Sequence, residues 1–171
     1  PLDEVCQVYE GMEIATHGFR HEPLGAVSED EMRASVDADK AALEKIFGTT
    51  VVGHAYAQGS TSPAAQAYLK AQGYQYARVV FPSGGFAFPE DPMNFRPSSS
   101  LILKNAAKLV ERFKCEEPGE KDLLLFLWAH SYEMDYEKGN ASWYALERLF
   151  ESIAGRSDIV YCTNSEAFAH I

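Results

Sequence analysis

Two imidazoles four positions apart, His17 and His21, are the side chains of this sequence best suited to chemistry. They follow an apolar run, Met12, Ile14 and Ala15, and a Gly and a Pro, Gly18 and Pro23, break the pattern around them. If Glu13 to Thr16 is a buried strand, His17 stands at its carboxyl end, and Gly18 to His21 makes one tight turn that returns His21 beside it. The carboxyl ends of strands are where α/β folds place ligands and chemistry, and neutral imidazole is the commonest side-chain ligand for zinc and similar ions. A catalytic ion needs at least one more protein ligand and an open position, so two histidines alone are incomplete. Five histidines in 171 residues also make one accidental pair unsurprising.

A second polar cluster, His130-Ser131-Tyr132-Glu133, ends the continuous apolar run Leu123 to Ala129. Histidine suits acid-base work because its unperturbed pKa lies close to neutral pH. The competing reading of His130 is a buried ring satisfied by hydrogen bonds. Glu133 and Asp135 either orient that ring, as outer carboxylates do, or form a solvated charged turn. His54 and Tyr56 lie at the end of a third run, where Tyr56 either lines a groove or packs in the core, the commoner place for a strand aromatic. Trp128 offers a flat face of the same two-sided kind. Arg78, inside another apolar stretch, needs a carboxylate partner if buried.

The elements that must position these groups follow from the pattern. Residues 1 to 9 read as a short helix. Ser28 and Glu31 form a capping box ahead of Met32, Val36, Leu43, Ile46 and Phe47 at helical spacing, stopped by Gly48. Val51 to Tyr56 reads as a strand. Ser62 as N-cap and Pro63 at the first helical position open a second helix that ends before Gly73. Tyr76 to Phe81 is the next strand, followed by a long Gly/Pro/Phe-rich loop over 82 to 97, a length usually reserved for function. Ser98 to Ser100 cap a helix carrying Leu101, Ile102, Leu109, Val110 and Phe113. Leu123 to Ala129 reads as a strand buried on both faces. Asn140 opens a helix with Trp143, Leu146, Leu149, Phe150 and Ile153. Ile159 to Tyr161 is a last short strand, and Thr163 with Glu166 caps a terminal helix. Five strands alternating with helices imply a parallel α/β fold, either an open sheet or a barrel.

The length fits one domain spanning 1–171, and 46% hydrophobic residues with 12% aromatics describe a folded chain. A net charge of −10 argues against nucleic acid or an anionic membrane surface as partner. No apolar run approaches a membrane span, and no signal-peptide pattern opens the sequence. Three widely spaced cysteines, Cys6, Cys115 and Cys162, suggest reduced thiols and a cytoplasmic protein.

Met-Glu-Ile-Ala-Thr-His-Gly-Phe-Arg-His, residues 12 to 21, resembles the histidine motif of the polysaccharide deacetylase (NodB-like) family, in which Gly-His-Glu-Ile leads into His-Ser/Thr-x-x-His. Three later stretches are similar to further family segments in order and spacing. They are Val52 to Gly59, Ala71 to Arg78, and Leu127-Trp128-Ala129-His130-Ser131. The sequence departs from the pattern at Met12, often His in the family, at Gly18, usually Ser or Thr, and at Ala57, usually Pro. The opening Thr/Ser-Phe-Asp-Asp-Gly strand is not matched, and no Asp-Asp pair occurs anywhere.

The resemblance implies an irregular (β/α) barrel of about seven strands, here incomplete at the amino end, whose Met12 strand is a bare edge that recruits a second copy or is covered by the first helix. It implies a hydrolase that removes acetyl groups from an N-acetylated carbohydrate. A divalent ion, zinc first and cobalt or nickel next, would sit on His17 and His21, with His130 as the acid and Tyr56 and Trp128 against the substrate. The unmatched Asp-Asp leaves a catalytically silent binding or scaffold domain as the alternative.

Overall fold

The computed structural model describes residues 2–136 and 141–169. It divides into two compact units, residues 1–80, 89–95 and 162–171 in one, and 81–88 and 96–161 in the other.

The first unit begins with α1 (Leu2–Val8), which lies on the end of α2 (Glu29–Phe47) through a Tyr9–Phe47 edge contact at 6.2 Å and a Cys6 thiol donating to the Ile46 carbonyl. The expected capping box starts α2: Ser28 Oγ accepts from Glu31 N, and the Glu31 carboxylate accepts from Ser28 N. Gly48 stops the helix in the left-handed region at φ 66°, where a side chain would be strained. Next come β1 (Gly53–Ala55), α3 (Pro63–Ala71) with Ser62 as its cap, and β2 (Tyr76–Arg78).

β1 and β2 pair in parallel, Gly53 opposite Tyr76 and Ala55 opposite Arg78. Isolated parallel bridges, Thr16 with His54 and Arg78 with Phe95, extend the pairing by one lane on each side. The predicted strand at Met12 is thus reduced to the Thr16 bridge, and Met12 itself is exposed. Gly53 cannot carry a Cβ, which would meet the Tyr76 hydroxyl at 2.2 Å. The core gathers Leu24, Met32, Val36, Val51, Tyr56 and Leu69, all 2% exposed or less.

The unit is closed by α7 (Asn164–Phe168), capped as expected by Thr163 and Glu166. Glu13 fastens it: one carboxylate oxygen accepts from Ser165 N and the other from Tyr76 Oη, both at 2.7 Å. Phe168 stacks on Tyr76 at 5.0 Å.

The second unit is more sparsely paired. β3 (Ser99–Ser100) and β4 (Leu127–Trp128) form a two-residue parallel ladder. Of the serines expected to cap a helix, Ser99 and Ser100 are therefore strand residues, because the Phe126 and Trp128 carbonyls take the N–H groups of Ser98 and Leu101. α4 (Ala106–Cys115) starts later than the pattern implied. The apolar run Leu123 to Ala129 is half-buried rather than buried on both faces. α5 (Ser131–Asp135) follows it, then α6 (Trp143–Ile153), capped by Ser142; the expected start at Asn140 lies outside the described residues. The predicted strand Ile159 to Tyr161 does not form, and Val160 is 85% exposed. A cleft of about 590 Å³ lies against α4 and α6, with Val110, Met134, Leu146 and Leu149 in its wall.

Strand pairing is parallel throughout the described residues, as the alternating pattern required. No helix among them is long and apolar enough to cross a membrane.

Candidate functional site

His17 follows the Thr16 bridge at the carboxyl end of its lane, beside the end of β1. Its Nδ1 is 2.6 Å from the Ala55 carbonyl oxygen, which can only accept, so Nδ1 carries the proton. In the neutral ring the lone pair is then on Nε2, the arrangement that a second partner imposes on a metal-binding imidazole. The His21 ring stands 4.8 Å from the His17 ring, centre to centre, at 76°. Two imidazoles on one ion at about 2.1 Å bring their ring centres to roughly 4.5–5.2 Å for angles of roughly 90–109°. The two rings are therefore close neighbours, at a separation compatible with a shared divalent ion. Among the described residues no group of three His, Cys, Asp or Glu side chains completes a metal site.

The turn carrying the pair is strained. Gly18 has φ 88° and His21 has φ 63°, a region that non-glycine residues seldom enter. Its backbone donors are nevertheless all matched. His17 N and Gly18 N both donate to Asp39 Oδ2 at 2.8 Å. Phe19 N donates to Ser35 Oγ, Arg20 N to Glu22 Oε2, and His21 N to the Gly18 carbonyl. Ser35 Oγ in turn donates to Glu22 Oε2 at 2.7 Å. Burial pushes the Glu22 carboxyl up, but the hydrogen bonds from Arg20 N and Ser35 outweigh it and leave the pKa lowered. Sequence reasoning missed Ser35 and Asp39. The signal was a gap: the apolar stripe Met32, Val36, Leu43 skips a turn where Asp39 stands.

His54 is fully buried beneath the Thr16 lane, its Nδ1 2.8 Å from Thr16 Oγ1. Burial, reinforced by the charges of His17 and Arg78, holds its pKa down to about 3, so the ring is neutral at ordinary pH. No hydrogen-bond partner for its Nε2 is present among the described residues. Tyr56 corrects an expectation. It is 0% exposed and donates its hydroxyl to the Met93 carbonyl at 2.8 Å, so it is a core residue and not a groove wall. Burial pushes that hydroxyl up to about 12.

In the second unit His130 precedes α5 and Glu133 sits one turn on, 6% exposed. Glu133 Oε2 accepts from His130 N at 2.9 Å, and Oε1 approaches His130 Nδ1 at 3.3 Å without hydrogen-bond alignment. Nδ1 is enclosed while the side chain is 41% exposed, so the ring turns its inner edge to the carboxylate and its outer edge to solvent. Tyr132 stacks on the ring at 5.0 Å, and Trp128, half-buried, meets it edge-on at 5.4 Å. Glu133 is thus enclosed rather than part of a solvated turn, and its hydrogen bond goes to the His130 backbone. Asp135 instead accepts from Trp143 Nε1.

Comparison with solved structures shows the fold. The chain superimposes on a structure described as a probable polysaccharide deacetylase from Pseudomonas aeruginosa PAO1 with TM-score 0.70 and 17% identity, covering 98% of this chain and 62% of that one. Puue allantoinase gives 0.67 and 16%, covering 99% and 62%. The Streptococcus pyogenes deacetylase PplD, solved in complex with acetate, gives 0.57 and 18%, covering 68% and 50%. The chain thus spans half to under two thirds of these structures. No curated protein matches it in sequence. Residues 4–77, the stretch that holds the histidine turn and its supporting helix, match the polysaccharide deacetylase family.

Proposed function

We propose that the chain carries the two-histidine face of a metal-dependent hydrolase of carbon-nitrogen, non-peptide bonds, acting on an N-acetylated carbohydrate within a (β/α) barrel of the NodB type. The observation behind this reading is the His17–His21 pair, with one ring's tautomer set by Ala55 and both rings at a separation compatible with one ion. A bound divalent ion, zinc or a similar metal, would polarise the acetyl carbonyl and lower the pKa of a water nucleophile. His17 and His21 would hold it. His130 would protonate the departing amine, with the Glu133 carboxylate holding its backbone N–H and its outer edge available. Trp128, against that ring, would offer its face to a sugar.

A second reading, a silent binding domain, is favoured by the lack of a third ligand among the described residues. Two neutral nitrogens leave an ion's charge uncompensated and its shell open, so weak metal binding is expected from this chain. The experiment is acetate release from an N-acetylglucosamine oligomer with added zinc or cobalt, alongside calorimetric zinc titration and an allantoin control. Chelator-sensitive release that is lost in His17→Ala, His21→Ala and His130→Ala, with zinc binding lost only in the first two, supports the hydrolase. Oligomer binding without release supports the second reading. Zinc binding unchanged in His17→Ala and His21→Ala contradicts the assigned ligands.

A further inference from the structure

We infer that Asp39 is a positioning residue for the histidine turn: its carboxylate, presented by α2, holds the turn in the shape that lets His17 and His21 share one ion. The inference rests on the metal-binding reading of that pair.

From His17 to His21 five consecutive backbone N–H groups each have an acceptor, and side chains supply four of them. Such a turn is not a ladder or helix end that its own backbone would hold. Its conformation is dictated by Asp39, Ser35 and Glu22, and two of these stand four residues apart on one face of α2. Asp39 is the anchor, because a single oxygen takes the two N–H groups that flank the His17 side chain. An ionised acceptor makes the stronger bond. His17 is therefore gripped at two points, its ring by the Ala55 carbonyl and its backbone by Asp39.

The grip opposes a real tendency to relax. His21 sits at φ 63°, a conformation that persists only where the surroundings over-determine it. Released from Asp39, the Gly18 hinge at φ 88° has other conformations open to it, and His21 swings away from His17. Charge alone does not explain the position. Among the described residues Asp39 belongs to no three-ligand metal group, and its hydrogen bonds go to the backbone of the turn.

The experiment compares the 171-residue chain with Asp39→Ala and Asp39→Asn, using zinc alone as probe, with calorimetric affinity and amide hydrogen exchange at His17 and Gly18 as readouts. Loss of an outer-shell partner costs about 10- to 100-fold in metal affinity, and that weakening is expected for Asp39→Ala. Asp39→Asn retains an oxygen for the same two N–H groups and recovers part of the affinity. Ser28→Ala is the control. It weakens α2 at its cap without touching the turn, and leaves zinc affinity unchanged. Asp39→Ala affinity within twofold of the parent, or lowered no more than Ser28→Ala lowers it, overturns the inference. If the parent binds no zinc, the metal reading has failed, and exchange decides separately: unchanged protection at His17 and Gly18 in Asp39→Ala overturns the positioning role, and faster exchange upholds Asp39 as the holder of the turn.

Discussion

The two units spend similar sequence material on very different packing. In the first, four parallel lanes, two of them single bridges, cover a core whose large side chains are almost wholly enclosed, and α2 reaches over it to grip the histidine turn. In the second, a two-residue ladder supports a half-buried apolar run, and α6 has no buried residue although one face is apolar. Trp143, Tyr144 and Phe150 on that helix are more than half exposed. The difference teaches that placing a chemical group takes less sheet than it takes enclosure. His17 is fixed by two grips in the tight unit, whereas His130 is held in the loose one by a single short helix and Glu133.

The comparison breaks most sharply at core leucines. Leu69→Ala, at a fully buried site, should cost about 2–5 kcal/mol. Leu149→Ala, on half-buried α6 beside the cleft, should cost under about 1.5 kcal/mol. Urea denaturation of both variants checks this, and equal losses would erase the contrast between the units.

His54 sharpens it through pH. Its folded pKa of about 3 lies below the ordinary 6.5, so the unfolded chain binds the extra proton first. The stability contributed by keeping the ring neutral is fully present above pH 6.5 and is lost as pH falls from there toward 3. The integrated effect is of order 5 kcal/mol. His54→Gln should flatten that part of the stability profile, measured by denaturant midpoint against pH. A slope unchanged by the substitution would place the titration elsewhere. The smallest effect is expected at the caps, about 1 kcal/mol for Ser28→Ala or Thr163→Ala, read from thermal melts.

What was legible follows the range of the forces. The Ser28, Ser62 and Thr163 caps are satisfied within three residues, so sequence alone located α2, α3 and α7 to within a residue or two. The His17–His21 turn was legible for the same reason. Strands depend on distant partners, and there the reading failed. Ser98 to Ser100 carry good capping chemistry, yet carbonyls near Phe126 and Trp128 claim their backbone. Leu123 to Ala129 reads as doubly buried because seven apolar residues ask for cover, but the cover must come from elements far along the chain. Tyr56 was ambiguous because one aromatic at a strand end serves core or groove equally well. Asp39 was invisible because a helix carboxylate ordinarily faces water, and only the turn it holds gives it another purpose.

The Glu13 clasp bears on how the protein is made. Glu13 binds Ser165 N and Tyr76 Oη, so the first unit joins residues separated by 152 positions, with all of the second unit between them in sequence. On a ribosome adding about 5–20 residues per second, Ser165 appears several seconds after Tyr76 has emerged. During that interval the Tyr76 ring lacks Phe168, and the carboxylate of Glu13 lacks the helix start that it caps. Vectorial synthesis therefore leaves the histidine-bearing unit unsealed until translation has passed α7, and a ribosome stalled before it would present a nascent chain with its Tyr76 face uncovered.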